Sequence, residues 1–544
     1  MIPISALLFS VFITIGLIPI FSRLALRFGA VDLPEPRKVH TRPVPRIGGA
    51  AIALGAYIPV LFWATADDFV TAYLAGGGIL IAFGLVDDLR GLNYKWKFLG
   101  QLLAALVIVF YGGVRITSLG NLLLEDAQLA DWFAVALTLV VIVGVTNAIN
   151  LADGLDGLAG GISLLGFCSI AYFAYLVEGD AVFLLSLALA GAIFGFLRFN
   201  TYPASVFMGD TGSQLLGFSA IAFAVKITQE HASLSPVLPL IILGFPILDT
   251  LTVMVERIRH GRSPFSPDKN HFHHRLISLG FYHAEAVFII YLIQSVMIIF
   301  AILFRYHYAW LFLAGYLLFS AALIGAFTLA DKTGFRVPRY HLIDHIIKGK
   351  FKRIKDDNLI IRISFEISKL LLPLMFLFVC LLPGKVPGYA SAAALGFGVF
   401  LVALWIFGRK WMGMGLRLVL YLAIPLALYL GKGEKAAWIG PEMLTGYHLL
   451  LVVSAFFVIL SIKFSRRAQG FRVTPLDFLI IFIALVVPNL PDQFIRGQNL
   501  GFLAVELIVL LFGYEVLITE LRGKFDALTV STLAGLAIVA LRGI

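Results

Sequence analysis

Asn147-Ala-Ile-Asn150-Leu-Ala-Asp153-Gly-Leu-Asp156-Gly-Leu158 lies between two strongly apolar runs of a 544-residue chain. A polar repeat in that position belongs at a membrane surface. Two amides and two carboxylates recur at every third position, broken by Gly154 and Gly157. On a helix that spacing lines them along one face. With two glycines the stretch is expected to open into a loop whose backbone amides approach a ligand closely. Carboxylates this close repel unless a cation or a proton joins them. The bland reading is a polar turn between spans, but a plain turn does not need this repeat.

The surroundings decide the fold class. The chain is 60% hydrophobic and only 14% charged, with a mean hydropathy of +0.94. A soluble protein carries nearer a quarter charged residues. Apolar runs of about 15–22 residues recur to the C-terminus, which predicts an all-α polytopic integral membrane protein. The runs fall near 2–22, 47–66, 69–86, 98–113, 132–148, 158–177, 181–197, 213–225, 236–256, 285–304 and 308–330, then near 368–383, 388–407, 416–431, 447–462, 475–488, 500–519 and 527–541. That is about 18 transmembrane helices. The first run has no preceding cation and no small-x-small cleavage site, so it reads as a transmembrane helix and not as a removed signal. Cys168 and Cys380 both fall in apolar runs and read as unpaired core thiols.

Cations set the topology. The loops holding Arg23–Arg46, Arg90–Lys97, Arg257–Arg275, Lys332–Lys355, Arg409–Arg417, Lys463–Arg472 and Arg522 with Lys524 contain most of the 42 Lys and Arg. The alternate loops hold few. The positive-inside rule makes the first set cytoplasmic and puts both termini outside. The net charge of +10 then reflects topology and implies no nucleic acid partner. The longest polar segment, Lys332–Asp357, is the expected domain boundary. It separates residues 1–330 from a C-terminal membrane region, 366–544, across a basic linker, 331–365.

On this topology the unusual residues share one face. Asp32, Arg37, Lys38, His40, Arg46 and Gly48-Gly49 lie in the first cytoplasmic loop. Asp87-Asp88 close the third span. The Asn147–Asp156 stretch, the segment from Asn200 through Phe207-Met-Gly-Asp210-Thr-Gly-Ser213, and the segment Asp268-Lys-Asn-His271-Phe-His273-His274-Arg275 lie in later cytoplasmic loops. This clustering predicts a cytoplasmic active-site cleft. Five carboxylates at a membrane surface suit a divalent cation with oxygen ligands, and Mg²⁺ prefers one or two carboxylates plus substrate phosphates. Basic and His-rich loops opposite them suit a pyrophosphate. No Walker-type loop accompanies these residues. A nucleotide-linked substrate meeting a membrane lipid phosphate explains both the phosphate chemistry and the setting.

Other readings compete. Asp87-Asp88 at a span end also reads as a solvated stop, and Gly48-Gly49 as a close helix contact. No Cys or spaced His completes a zinc set with His271, His273 and His274. Phe207 alone reads as core. Asp249, inside a span, is costly there and predicts a polar cavity. Glu506 and Glu515 raise the same question without a motif. Transporters hold polar residues near the midplane on broken helices. Here most sit at one face, which disfavours transport for 1–330 but leaves it open for 366–544.

Together the segments Asp32-Leu-Pro-Glu-Pro-Arg-Lys-Val-His40, Pro45-Arg-Ile-Gly-Gly49, Asp87-Asp88, Asn147–Gly157, Phe207–Ser213 and His271–Arg275 resemble the polyprenyl-phosphate N-acetylhexosamine-1-phosphate transferase family, over about residues 1–330. The resemblance implies a bundle of ten or eleven helices around the cytoplasmic cleft, in the bacterial cytoplasmic (inner) membrane. It implies Mg²⁺, with Mn²⁺ as a substitute, and two substrates: a UDP-N-acetylhexosamine and undecaprenyl phosphate. UMP leaves and a polyprenyl-diphosphate sugar forms. Asp210 then resembles the principal Mg²⁺ ligand, and Asp87 and Asp88 the pair that engages the lipid phosphate. Asp153 and Asp156 resemble metal-site or nucleoside-pocket residues, Asp156 also a catalytic one. Phe207 resembles the uracil-stacking residue. Arg46, Lys97, Asn147, Asn150, Asn200, His271, His273, His274 and Arg275 resemble substrate-contacting positions. Ser263-Pro-Phe-Ser-Pro-Asp268 before His-Phe-His-His-Arg resembles the N-acetylglucosamine-type members. The peptidoglycan translocase usually shows three successive histidines and then an acid, so it stands as the alternative. Residues 331–544 depart from the family pattern, and a homo-oligomer is left open.

Overall fold

A computed structural model describes residues 2–33, 43–122, 127–263, 270–306, 308–337, 359–431, 435–464, 500–521 and 523–543. The described residues divide into two compact units, one ending at Val337 and one beginning at Leu359. Arg37, Lys38, His40, Asp268, the middle of the expected linker and the expected span 475–488 lie outside the described residues.

The first unit holds α1 (Ile2–Phe28), α2 (Gly48–Trp63), α3 (Asp68–Arg90), α4 (Tyr94–Phe110), α5 (Asp131–Ala152), α6 (Leu158–Leu176), α7 (Asp180–Asn200), α8 (Gly209–Glu230), α9 (Leu238–Ile242), α10 (Gly244–Arg259), α11 (Phe272–Ser278), α12 (His283–Phe304) and α13 (Ala309–Thr333). Two short strands, β1 (Val31–Asp32) and β2 (Val44–Pro45), pair antiparallel with Val31 opposite Pro45. The second unit holds α14 (Leu359–Leu381), α15 (Gly388–Phe407), α16 (Met412–Leu430), α17 (Pro441–Phe464), α18 (Leu500–Leu521) and α19 (Asp526–Leu541). Eleven of the described helices are long and apolar enough to cross a membrane, and α2 and α19 are shorter apolar helices. The chain is an all-α, multi-pass membrane protein. Fewer spans meet that measure among the described residues than the eighteen or so expected.

Helices form here because a lipid environment leaves each backbone N–H and C=O only its own helix as a partner. The apolar runs therefore become helices nearly as bounded by hydropathy. Three expectations need correction. The Asn147 stretch is half helix: α5 continues through Ala152, and the loop is confined to residues 153–157, closed by Gly157 at φ +82°. The Phe207 segment is not all loop, because α8 starts at Gly209 and carries Asp210 in its first turn. The His271 segment likewise folds into α11 from Phe272.

The run 236–256 is broken, and Pro246 explains why. Proline has no N–H, so the Ile242 carbonyl loses its helical donor. Gln294 on α12 supplies one, its Nε2 donating to Ile242 O at 2.5 Å, while its Oε1 accepts from Phe245 N at 3.2 Å. Tyr316 on α13 donates to Gly244 O at 3.1 Å. Buried side chains thus satisfy the backbone that the break exposes.

Within the first unit α1 packs on α2 and α7, α6 on α7, α5 on α8, and α3 on α4 and α8. Helices α6 and α8 are buried along almost their whole length. Within the second, α14 packs on α17 and α19, α15 on α19, and α16 on α18, around Leu372, Phe376, Leu420, Ile424, Leu510 and Leu517.

Candidate active site

Three helix ends meet in the first unit. The last turn of α3 carries Asp87 and Asp88, the first turn of α4 carries Lys97, and the first turn of α8 carries Asp210. Lys97 Nζ lies 2.8 Å from Asp87 Oδ2 and 2.7 Å from Asp210 Oδ2. Asp88 does different work. Its Oδ1 accepts from Asp210 N at 2.9 Å, and its Oδ2 accepts from Thr211 N at 3.2 Å and Thr211 Oγ1 at 2.6 Å. It caps α8 from another helix, satisfying N–H groups that a helix start leaves open. Glycines allow the approach. A Cβ at Gly209 would lie 2.6 Å from Asp88 Oδ1, and one at Gly84 would lie 2.5 Å from Thr211 Cα.

The α2 start seals the other side. Gly48 N donates to Phe207 O at 3.0 Å and Gly49 N to Met208 O at 2.7 Å. A Cβ at Gly49 would lie 2.6 Å from Gly212 Cα. Phe207 N donates to Pro45 O at 2.8 Å, so the β2 turn and the α8 entry are one packed unit. Arg46 is ion-paired with Asp32 across β1 and β2.

Asn147 and Asn150 reach the same end through amide and hydroxyl partners. Asn147 Nδ2 donates to Gln101 Oε1 at 2.7 Å, and Ser213 Oγ donates to Asn150 Oδ1 at 2.7 Å. Gln214 Nε2 donates to Asp210 Oδ2 at 3.2 Å. Asp153 follows in the loop. Burial, then the charges of Asp210, Asp88 and Asp156, push its carboxyl up to about 7 against the pull of Arg46. Burial is the larger cause, and the neighbouring carboxylates add to it.

Other sequence candidates hold the surrounding loops together through hydrogen bonds and ion pairs. Asp156 Oδ2 accepts from Ala204 N at 2.9 Å, while its own N donates to His283 Nε2 at 2.9 Å. Asn200 accepts from Gly157 N and donates to Val206 O, both at 2.9 Å. Asp249, a buried acid on α10, accepts from His271 Nδ1 at 2.8 Å and from Phe272 N at 2.7 Å. Its cost is offset by those two donors, not by an open polar cavity. His271 and His273 stack at 5.7 Å, and His273 and His274 sit 4.2 Å apart. His273 lies against Gly154 of the α5–α6 loop. Burial, then His274, pulls its imidazole down to about 3 against Asp249, so it is neutral at any working pH. Arg275 pairs with Glu256, and its Nε donates to Asn270 O at 2.8 Å.

Gln101, Gln214 and His283 were not singled out from the sequence. The i, i+4 spacing of Gln101 from Lys97 and of Gln214 from Asp210 is the signal that finds the first two.

Asp87, Asp88 and Asp210 each offer an oxygen within 4.8 Å of the others, the one such group of three among the described residues. Asp153 and Asp156 lie outside it. An all-oxygen set with net negative charge, bridged by one ammonium, fits a hard divalent cation.

A model of glycosyl transferase family 4 matches residues 70–228. The chain is 42% identical over 297 residues to a probable undecaprenyl-phosphate N-acetylglucosaminyl 1-phosphate transferase of Bacillus subtilis (strain 168), covering 54% of this chain and 82% of that protein. It is 40% identical to the decaprenyl-phosphate N-acetylglucosaminephosphotransferase of Mycolicibacterium smegmatis, over 49% of this chain and 74% of the relative. It is 31% identical to the undecaprenyl-phosphate alpha-N-acetylglucosaminyl 1-phosphate transferase of Escherichia coli (strain K12), over 58% of this chain and 88% of the relative. Helix ends, acids and relatives agree: the chain belongs to glycosyl transferase family 4.

Proposed function

We propose that this chain transfers N-acetylglucosamine 1-phosphate from UDP-N-acetylglucosamine to undecaprenyl phosphate. The observation that carries the reading is the meeting of Asp87, Asp88 and Asp210 around Lys97 at one end of a membrane bundle. Relatives bearing that activity's name support it. The product starts a cell-envelope polysaccharide. The site opens to the cytoplasm of a bacterial inner membrane, because the cation-rich loops lie at its end of the helices.

An oxygen of the lipid phosphate attacks the sugar-linked phosphorus. A P–O bond forms, the P–O bond to UMP breaks, and UMP leaves with the electron pair. Mg²⁺, held by Asp87 and Asp210, would neutralise phosphate oxygens and stabilise the leaving charge. Lys97 holds the two carboxylates in register and adds positive charge where the phosphates converge. Asp88 has both oxygens engaged by α8, so it positions Asp210. Asp87 is the candidate base that the family resemblance offers; its Oδ1 accepts from Leu92 N at 2.6 Å and its Oδ2 faces Lys97. A lipid phosphate, already largely ionised near pH 7, needs alignment more than deprotonation.

The test uses the full-length chain in detergent with undecaprenyl phosphate and Mg²⁺. UDP-N-acetylglucosamine, UDP-N-acetylgalactosamine and UDP-N-acetylmuramoyl-pentapeptide are supplied separately, and UMP is followed. Lipid- and Mg²⁺-dependent UMP from the first alone is the expected result. Release only from the third would transfer the assignment to peptidoglycan synthesis. Release from none would overturn the reading.

A further inference from the structure

Three amides from three helices, two of them buried, form a continuous string that ends on Asp210. Gln101 is 3% exposed, Gln214 is 1% exposed, and Asn147 is half-buried. The string starts on backbone, where Asn147 Nδ2 donates to Val143 O at 3.0 Å. Asn147 and Gln101 then pair reciprocally. Asn147 Nδ2 donates to Gln101 Oε1 at 2.7 Å, and Gln101 Nε2 donates to Asn147 Oδ1 at 3.3 Å. Gln101 Nε2 also donates to Gln214 Oε1 at 3.3 Å. Gln214 Nε2 donates to Asp210 Oδ2 at 3.2 Å.

The direction of each bond matters. A primary amide is a donor at one end and an acceptor at the other, so a lone Gln214 has two orientations of nearly equal shape. Only one aims N–H at Asp210. The other aims a carbonyl oxygen at a carboxylate and costs that hydrogen bond plus a repulsion. Gln101 selects the first by giving its own N–H to Gln214 Oε1. The Val143 carbonyl fixes Asn147, which fixes Gln101 in turn. Asp210 Oδ2 therefore receives Lys97 from one side and Gln214 from the other. Two donors on one oxygen fix the rotation of the carboxylate, and with it the direction of Oδ1.

We propose that Gln101 and Gln214 are positioning residues of the transferase centre: the string Val143–Asn147–Gln101–Gln214 sets the orientation of the Asp210 carboxylate. The proposal rests on the transferase reading of that centre. It gives Asn147 the job of anchoring the string from within α5. It also explains why glutamines lie four residues after Lys97 and after Asp210 on helices that are otherwise apolar at that depth. Partners of this kind, one bond removed from a cation ligand, are generally worth 10–100-fold in affinity or activity.

The test compares Gln101→Met, Gln214→Met and the double variant in the full-length chain. Turnover and KM for UDP-N-acetylglucosamine are measured separately. Bound Mn²⁺ is read by electron paramagnetic resonance without substrate. Each single variant is expected to lose about 10-fold in kcat and in Mn²⁺ affinity, with KM for the sugar nucleotide within about twofold. The double variant is expected to be no worse than Gln214→Met, because Gln101 acts only through Gln214. Multiplicative losses in the double variant, a loss seen in KM alone, or singles indistinguishable from the parent would each overturn the proposal. If Gln101→Met fails to fold, Gln101→Glu and its double with Gln214→Met are read by the same criteria. If the parent chain releases no UMP, the transferase reading fails, while the Mn²⁺ signal still decides the string.

Discussion

In the first unit, Asp88 on α3 holds the start of α8 across 122 positions of sequence, and Gln101 on α4 ties α5 to α8. In the second unit, Glu515 on α18 meets Arg417 Nε at 3.0 Å and Tyr421 Oη at 3.3 Å on α16, and Trp405 Nε1 donates to Asp526 at 3.0 Å. One region gathers many polar side chains at one helix end; the other holds its acids in separate small groups. The packing differs in the same sense. The apolar windows of α6 and α7 are 83% and 72% buried, whereas those of α15 and α17 are 22% buried. The first unit encloses its central helices with its own chain, while α15 and α17, like α1 and α13 of the first unit, keep most of their surface exposed among the described residues. The lesson is that intramembrane acids do not by themselves mark chemistry. A site also needs several helix ends held at backbone contact.

That contrast is broken most easily at Asp210. Asp210→Asn is expected to lower UMP release at least about 1,000-fold, with the melting temperature in detergent nearly unchanged; retained turnover would erase the distinction. Gly49→Ala comes next. Its methyl would lie 2.6 Å from Gly212 Cα, so α2 and α8 must separate. A shift near 1 Å costs about 100-fold in rate, and overpacking costs about 1–3 kcal/mol in stability. Kinetics and thermal melts read both, and an unaltered rate would show that the close contact is dispensable. Asp249→Asn keeps an acceptor for Phe272 N but removes the anion that His271 faces. About a tenfold loss of kcat is expected, and it should vanish when His271 is already Gln.

A smaller effect is thermodynamic. His273 binds a proton near pH 3 when folded and near 6.5 when unfolded. As pH falls below 6.5 the unfolded state takes up the proton first, so this group's contribution to stability falls by about 1.4 kcal/mol per pH unit between those values. Asp153, raised to about 7, acts in the opposite sense. His273→Gln should flatten that slope in melts run from pH 7 to 5. The smallest kinetic effect is expected in the second unit. Glu515→Gln should cost about 1–3 kcal/mol of stability and change kcat by less than about twofold. A large kinetic loss there would show that the second unit serves the reaction.

Hydropathy made the spans legible, because lipid enforces helices wherever an apolar run is long enough. Local patterning failed where partners come from far along the chain. The Asn147 repeat read as a loop because its glycines were visible and its helical partners were not; Gln101 and Ser213 keep Asn147 and Asn150 within α5. The break before Gly244 was hidden because Gln294 and Tyr316 repair it. Asp87, Lys97 and Asp210 were legible as types of residue, and their meeting was read through family resemblance. Gln101 and Gln214 stand out only by their spacing, four positions after Lys97 and after Asp210, and that signal has force only once those two are taken as site residues. Asp249 was noticed as an expensive acid, but its partner, His271, lay 22 positions away.

The repaired break between α9 and α10 also sets an order of manufacture. The groups that close it stand 49, 52 and 72 positions further along the chain. A ribosome delivers Ile242 and Gly244 well before Gln294 and Tyr316. Until those arrive, the open carbonyls must stay near water or the translocation channel, since lipid offers them nothing. The stretch bearing Asp249 is therefore among the last parts of the first unit to settle during synthesis, and a nascent chain halted before Tyr316 should leave it accessible to protease.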